Sequence, residues 1–159
     1  MTATVHMILV VLPCFIAAYT DLKEMKIPNI LSIVMVLGFI VTAPFLLTLD
    51  EIGWRVLYAG IAFAIGFALN AVGKMGGGDV KFGSASLLYF APIDICFYLQ
   101  VLGLMALAGV LTHRFVRGIP AIRNIVGHWR SWGERANFPL GFVLAGSLLY
   151  YLSLVIFFQ

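Results

Sequence analysis

The chain has 159 residues and a formal net charge of +3; 62% of its residues are hydrophobic, only 11% are charged, and the mean hydropathy is +1.05. Soluble domains carry about 25% charged residues, so this composition excludes an ordinary soluble enzyme and predicts an integral membrane protein. The length leaves no room for a large soluble domain beside a membrane bundle, and residues 1–159 read as a single membrane-embedded domain.

Apolar stretches approaching the length of a bilayer crossing predict an all-α fold of six transmembrane helices. They cover about Val5–Thr20, Ile30–Leu49, Gly53–Val72, Val80–Ala91, Ile93–Thr112 and Phe138–Phe157. The first begins without a basic residue, because Met1 to Ala18 holds no Lys or Arg. It therefore reads as an uncleaved helix with its N-terminus outside, not as a cleavable signal. It closes on a carboxylate, in Asp21-Leu22-Lys23-Glu24-Met25-Lys26-Ile27-Pro28-Asn29.

The third stretch carries Gly60/Ala64 and Ala62/Gly66 and the sixth carries Gly141/Ala145, the small-xxx-small spacing of closely packed helices. Asn70, late in the third, is a candidate hydrogen-bonding group near any site at that end. Next comes Gly76-Gly77-Gly78-Asp79-Val80-Lys81, read as a flexible loop whose glycines can take positive φ and let another backbone approach. The fourth stretch is short. From Phe82 to Ile93 it reaches about 18 Å as a helix, against a hydrocarbon layer of ~30 Å, which draws Asp79 toward the bilayer boundary. Asp94, after Pro92, reads as a helix cap.

Between the fifth and sixth stretches, Pro120 suits a first helical turn. Ile122, Ile125, Val126, Trp129 and Trp132 then share one face, with Arg123, Asn124, His128 and Arg130 on the other. This predicts an amphipathic helix lying on an anionic leaflet; a helix docked on the bundle is the alternative. Every basic residue except Arg55 falls in the first, third or fifth connection. By the positive-inside rule those connections are cytoplasmic and both termini extracytoplasmic. Asp21 and Asp79 then meet one cytoplasmic face.

A carboxylate at membrane depth costs about 2.5–3.5 kcal/mol on insertion scales unless it is paired or used. One reading makes Asp79 a cap of the fourth helix and Asp21 a solvated helix-end charge. The other makes them a dyad. Two carboxylates in close approach cannot both ionise, so the pair shares a proton. One member can take a proton from water while the other polarises a carbonyl. The titration belongs to the pair, so the base is not assigned. Such a dyad needs no metal. His6, His113 and His128 lack ligand spacing, and Cys14 and Cys96 form no CxxC pair.

The segment Asp21 to Asn29 resembles the D-x-(basic, polar)-I-P-N segment of type IV prepilin peptidases. Met75 to Lys81 resembles that family's G-x-G-D-V-K motif, and Phe138-Pro139-Leu140-Gly141 its P-x-G start of the last helix. The resemblance implies a membrane aspartic endopeptidase with Asp21 and Asp79 as its catalytic pair. Its substrate would be a prepilin or prepilin-like protein, with a basic leader and a hydrophobic helix, cleaved at the cytoplasmic side of the inner membrane. Gly76, Gly77, Gly78, Lys81, Pro28 and Asn29 are implied as loop or substrate-binding positions, with Lys81 a candidate to tune Asp79 or position substrate. Longer relatives carry CxxC pairs and an N-methyltransferase region; this chain is nearest in size to the short Flp/Tad-pilus type, and no methylation is expected. No cofactor, metal or nucleic-acid partner is expected, and the oligomeric state is not specified. A proton- or ion-coupled transporter using the same carboxylates as relays is the alternative, although no inverted repeat is evident. A structural subunit that binds other membrane helices leaves the glycine–Asp run without a role.

Overall fold

The computed structural model describes residues 1–119, 127–132 and 138–158. Among these are six α-helices and no strand: α1 Thr2–Glu24, α2 Asn29–Leu46, α3 Leu49–Ala71, α4 Gly77–Leu87, α5 Ile95–Arg117 and α6 Leu140–Phe158. Single 3₁₀ turns lie at Pro92–Asp94 and Arg130–Trp132. Five helices are long and apolar enough to cross a membrane, α5 doing so together with the turn before it. The protein is a multi-pass membrane protein. α4 has 11 residues and is not one of the five.

The bundle is organised around α1, which packs most extensively on α6 and also on α2. Val10, Cys14 and Ala17 of α1 meet Leu144, Ala145 and Leu148 of α6 in the buried core. α4 is enclosed by α3, α2 and α6, and its Phe82 and Ala85 are buried. α3 and α5 are peripheral, and α3 buries only Arg55 and Gly66. Between membrane helices the drive to associate is close packing, because lipid tails are as apolar as the helices themselves. Gly66 illustrates it: a Cβ there would come within 2.8 Å of Val80 Cγ1, so the missing side chain is what lets α3 lie against α4. Gly60, the other glycine of that stripe, has nothing within 4 Å and serves no such contact.

Local chemistry sets the helix ends. Thr48 opens α3 with a capping box: its Oγ1 accepts from the Glu51 N–H at 3.3 Å, and Glu51 Oε2 accepts from the Thr48 N–H at 3.0 Å. α4 ends in tight turns at Leu88, Tyr89 and Phe90, just before Pro92, whose ring disfavours helical backbone at the preceding residue. The Tyr89 hydroxyl then donates to the Met35 carbonyl at 2.6 Å and ties this end of α4 to α2.

Three expectations change. α1 runs on through Glu24, so Asp21 lies inside a helix and not after it. α4 starts three residues earlier than the apolar run, which puts Gly77, Gly78 and Asp79 in its first turn. Asp94 caps nothing with its side chain; instead its Oδ2 accepts the Tyr151 hydroxyl at 2.7 Å. Most of the expected amphipathic helix (120–126) lies outside the described residues, and Arg130–Trp132 is a 3₁₀ turn. There the two tryptophans face the bundle: Trp129 meets Tyr19 edge-on at 5.9 Å, and Trp132 lies 5.3 Å from His113.

Candidate active site

The last turn of α1 positions the first carboxylate. Leu22, Lys23 and Glu24 are all good helix formers and carry α1 past Asp21. The helix stops at Met25, in the left-handed region at φ 55°, ψ 40°, with its N–H on the Asp21 carbonyl at 2.9 Å. A left-handed non-glycine residue is strained, and such residues concentrate at functional sites. The turn sends Ile27-Pro28-Asn29 back across the end of the bundle, with Pro28 in extended backbone opening α2.

Asp21 is only 4% exposed. Its Oδ2 accepts the Gly141 N–H at 2.6 Å, and its carboxylate also accepts from the Phe142 N–H. These N–H groups belong to the first turn of α6, where a helix has no partners of its own to offer them. The residue before α6 is Pro139, which has no side-chain oxygen to cap it. Asp21 therefore caps α6 from another helix. A Cβ at Gly141 would lie 3.0 Å from Asp21 Oδ2 and 2.5 Å from Ile27 Cδ1, so the glycine makes this approach possible.

The first turn of α4 positions the second carboxylate. Asp79 reaches back to the N–H of Gly76, the residue that precedes the helix in extended backbone. This is the acidic half of a capping box. The capping reading of Asp79 thus holds, and it also orients the carboxylate. The glycines are not a loop using positive φ: among the described glycines only Gly73, at φ 73°, has that conformation. Gly78 serves close approach instead, since a Cβ there would lie 3.0 Å from the Ile27 carbonyl oxygen and 3.2 Å from Ile27 Cβ. Asn70 donates its side-chain N–H to the Met75 carbonyl at 2.7 Å and fastens the turn between α3 and α4.

Asp21 and Asp79 line one cavity of about 640 Å³, together with Met25, Lys74, Met75, Gly76, Phe138 and Leu140 among others. No hydrogen bond joins the two carboxylates among the described residues, because each is held by backbone N–H groups of its own surroundings. Asp79 lies outside the five crossing helices, and its carboxyl is pushed up from 3.8 to about 6. Burial is the larger cause and the charge of Asp21 the second, while the Gly76 N–H opposes both.

The remaining expected positions divide. Gly76 lines the cavity, and Gly77 sits beside Asn70, 3.7 Å from a Cβ position to the amide nitrogen. Lys81 turns away from Asp79: its Nζ donates to Asn29 Oδ1 at 3.1 Å, and burial, Asp21 and Gly76 are what act on Asp79. Lys81 and Asn29 thus join the two Asp segments to each other, as Gly78 and Ile27 do. Neither Met25 nor Ile27 is marked by the sequence as a catalytic or substrate-binding position. Nothing local marks Met25 as left-handed. Ile27 stands out in the sequence only as the first residue of the I-P-N segment, and the two glycines that fit against it, Gly78 and Gly141, hint at its place.

The type IV leader peptidase family matches residues 8–158, and the chain belongs to that family. No curated protein and no solved structure matches the chain. Membership makes the protein a leader-peptidase-like protease, and the match takes in Asp21, Asp79 and the start of α6.

Proposed function

We propose that this protein is a membrane aspartic endopeptidase that removes the leader peptide of type IV prepilins or prepilin-like proteins, with Asp21 and Asp79 as the catalytic dyad. One observation carries the reading: two carboxylates from different helices line a single cavity, and the charge of Asp21 helps raise the carboxyl of Asp79 to about 6. A pair of this kind holds one proton between its members. The ionised carboxylate takes a proton from a water lying between them. The protonated one donates a hydrogen bond to the scissile carbonyl and, as the tetrahedral intermediate collapses, a proton passes to the leaving amine. A peptide lying across the cavity displaces other water and strengthens the raised pKa.

The charge distribution supports the placement. Lys23, Lys26, Lys74 and Lys81 flank the dyad end of the bundle, so that end faces the cytoplasm of an inner-membrane protein under the positive-inside rule. On this topology the protein crosses with its N-terminus outside, and α4 is a short helix set below the membrane surface.

The test is leader cleavage by protein purified in lipid, comparing wild type with Asp21→Asn and Asp79→Asn on a prepilin. Wild type cleaves, and each variant loses at least about 100-fold, the lower end of acid–base contributions. A variant that cleaves at the wild-type rate removes its residue from the dyad. Proton flux into liposomes that depends on both carboxylates, without cleavage, replaces the peptidase reading with transport.

A further inference from the structure

The space around Asp79 continues beyond the dyad cavity. Asp79 and Met75 also head a second, almost wholly apolar cavity of about 280 Å³. It runs along α4 between α3 and α5, walled by Ile65 and Leu69 on one side and Leu99 and Leu102 on the other, with Gly83 and Leu87 along its floor. The architecture explains the opening. α3 packs mainly on α4, and α5 mainly on α6, so the two peripheral helices stand on either side of a short helix that cannot fill the space between them. From Asp79 to Leu87 the floor extends about 12 Å, two turns of helix. Ile65 and Leu99 are more than half exposed, so the groove opens sideways toward the bilayer.

From this geometry we infer that the groove between α3 and α5 seats the apolar helix of the substrate as it enters sideways from the membrane, with the scissile bond carried to the dyad at the Asp79 end. The inference rests on the leader-peptidase reading and adds where the substrate's helix lies. Three observations select this occupant and this groove. The groove and the dyad cavity share Asp79 and Met75, so one continuous chain can lie extended across the carboxylates and helical beyond them. A helix satisfies its own backbone, which an apolar wall requires at this depth; the Ser84 hydroxyl on the wall is already bonded to the Val80 carbonyl at 2.8 Å. A larger groove of about 550 Å³ lies between α2, α3 and α4, but neither Asp21 nor Asp79 lines it. Lys81 and Asn29 stand on its lining instead, joined to each other by a hydrogen bond.

The test places a photo-crosslinking benzoylphenylalanine at Ile65 or Leu99, and as a contrast at Leu37 of the larger groove, in full-length Asp79→Asn protein in lipid with a prepilin. Adducts with the prepilin helix from positions 65 and 99 and none from 37 are expected. Adducts from 37 alone, or only lipid adducts from 65 and 99, overturn the inference. In parallel, Leu99→Trp, which fills the groove from its exposed wall, is compared with Leu37→Trp in the otherwise wild-type protein. Leu99→Trp is expected to slow prepilin cleavage at least tenfold and Leu37→Trp to leave it within twofold. Equal rates for both, or slowing by Leu37→Trp alone, overturn the groove assignment while the peptidase reading stands. Absence of cleavage by the wild type removes the peptidase reading itself, which is a separate outcome.

Discussion

Asp21 Oδ2 accepts the backbone N–H of Gly141 at 2.6 Å, so a candidate catalytic carboxylate is also the cap of the last helix. The site and the α1–α6 packing are therefore one structure. Gly141→Ala introduces a methyl group 3.0 Å from that oxygen and 2.5 Å from Ile27 Cδ1. The Ile27 side chain and the carboxylate can each yield somewhat, so the fold survives while the carboxylate is displaced. A loss of about 1–3 kcal/mol in stability is expected from overpacking, with a drop in leader cleavage of about tenfold or more, since small misplacements of reacting groups are costly. Thermal unfolding and cleavage rates of the same preparation check both. A Gly141→Ala protein as active as wild type shows that the approach tolerates a Cβ.

At Gly78 the obstacle is backbone. A Cβ there meets the Ile27 carbonyl oxygen at 3.0 Å, and a main-chain atom in a turn fixed by Met25 and Pro28 cannot swing aside. Gly78→Ala is expected to destabilise the protein by about 1–3 kcal/mol, whereas Gly77→Ala, with only the Asn70 amide at 3.7 Å, is expected to be tolerated better. The two variants are compared by unfolding in the same lipid or detergent. Equal stability of the pair contradicts the assignment of close approach to Gly78.

The raised Asp79 carboxyl predicts a pH dependence with a definite sign. Its value in the fold, about 6, exceeds the 3.8 of an unperturbed Asp. The folded state therefore binds the proton more tightly than the unfolded chain. Stability falls as pH rises from about 4 through about 6 and then levels off. Asp79→Asn removes this contribution, so the difference in melting temperature between variant and wild type grows in favour of the variant across that window. A constant difference from pH 4 to pH 7 sinks the prediction.

Lys81 and Asn29 form one hydrogen bond, 3.1 Å long and exposed. If its role is to hold the two Asp segments together, Lys81→Ala and Asn29→Ala are non-additive. A double-mutant cycle on stability is expected to return a coupling of about 0.5–1 kcal/mol. Zero coupling, with a raised KM in Lys81→Ala alone, assigns the lysine to substrate instead.

Arg55 lines a cavity separate from that of the two carboxylates. It is 5% exposed, and its Nη1 donates at 3.1 Å to the Leu88 carbonyl at the end of α4. The surrounding cavity, of about 200 Å³, also holds His6, near the opposite end of α1 from Asp21. Arg55→Met keeps the bulk but leaves a helix-end carbonyl without its donor, which costs about 1–3 kcal/mol. Lower thermal stability with an unchanged cleavage rate per folded molecule is expected; a selective loss of rate contradicts a purely structural role.

What the sequence by itself determined was everything carried by local pattern. Hydropathy runs marked the five long helices because each must present an apolar surface over a bilayer's thickness. The glycine run and the I-P-N and P-x-G segments marked where the chain is unusual, and the family match spans all three. The tertiary structure decided what those segments do, because their partners lie in distant parts of the chain. Gly78 and Gly141 make room around Ile27, Asp21 substitutes for a cap that Pro139 lacks, and Lys81 meets Asn29. No periodicity records which backbone a glycine must admit. The flexible loop expected of Gly76–Gly78 is a helix start for the same reason: propensity describes an isolated segment, while the capping bond from Asp79 and the packing against Ile27 set the backbone actually adopted.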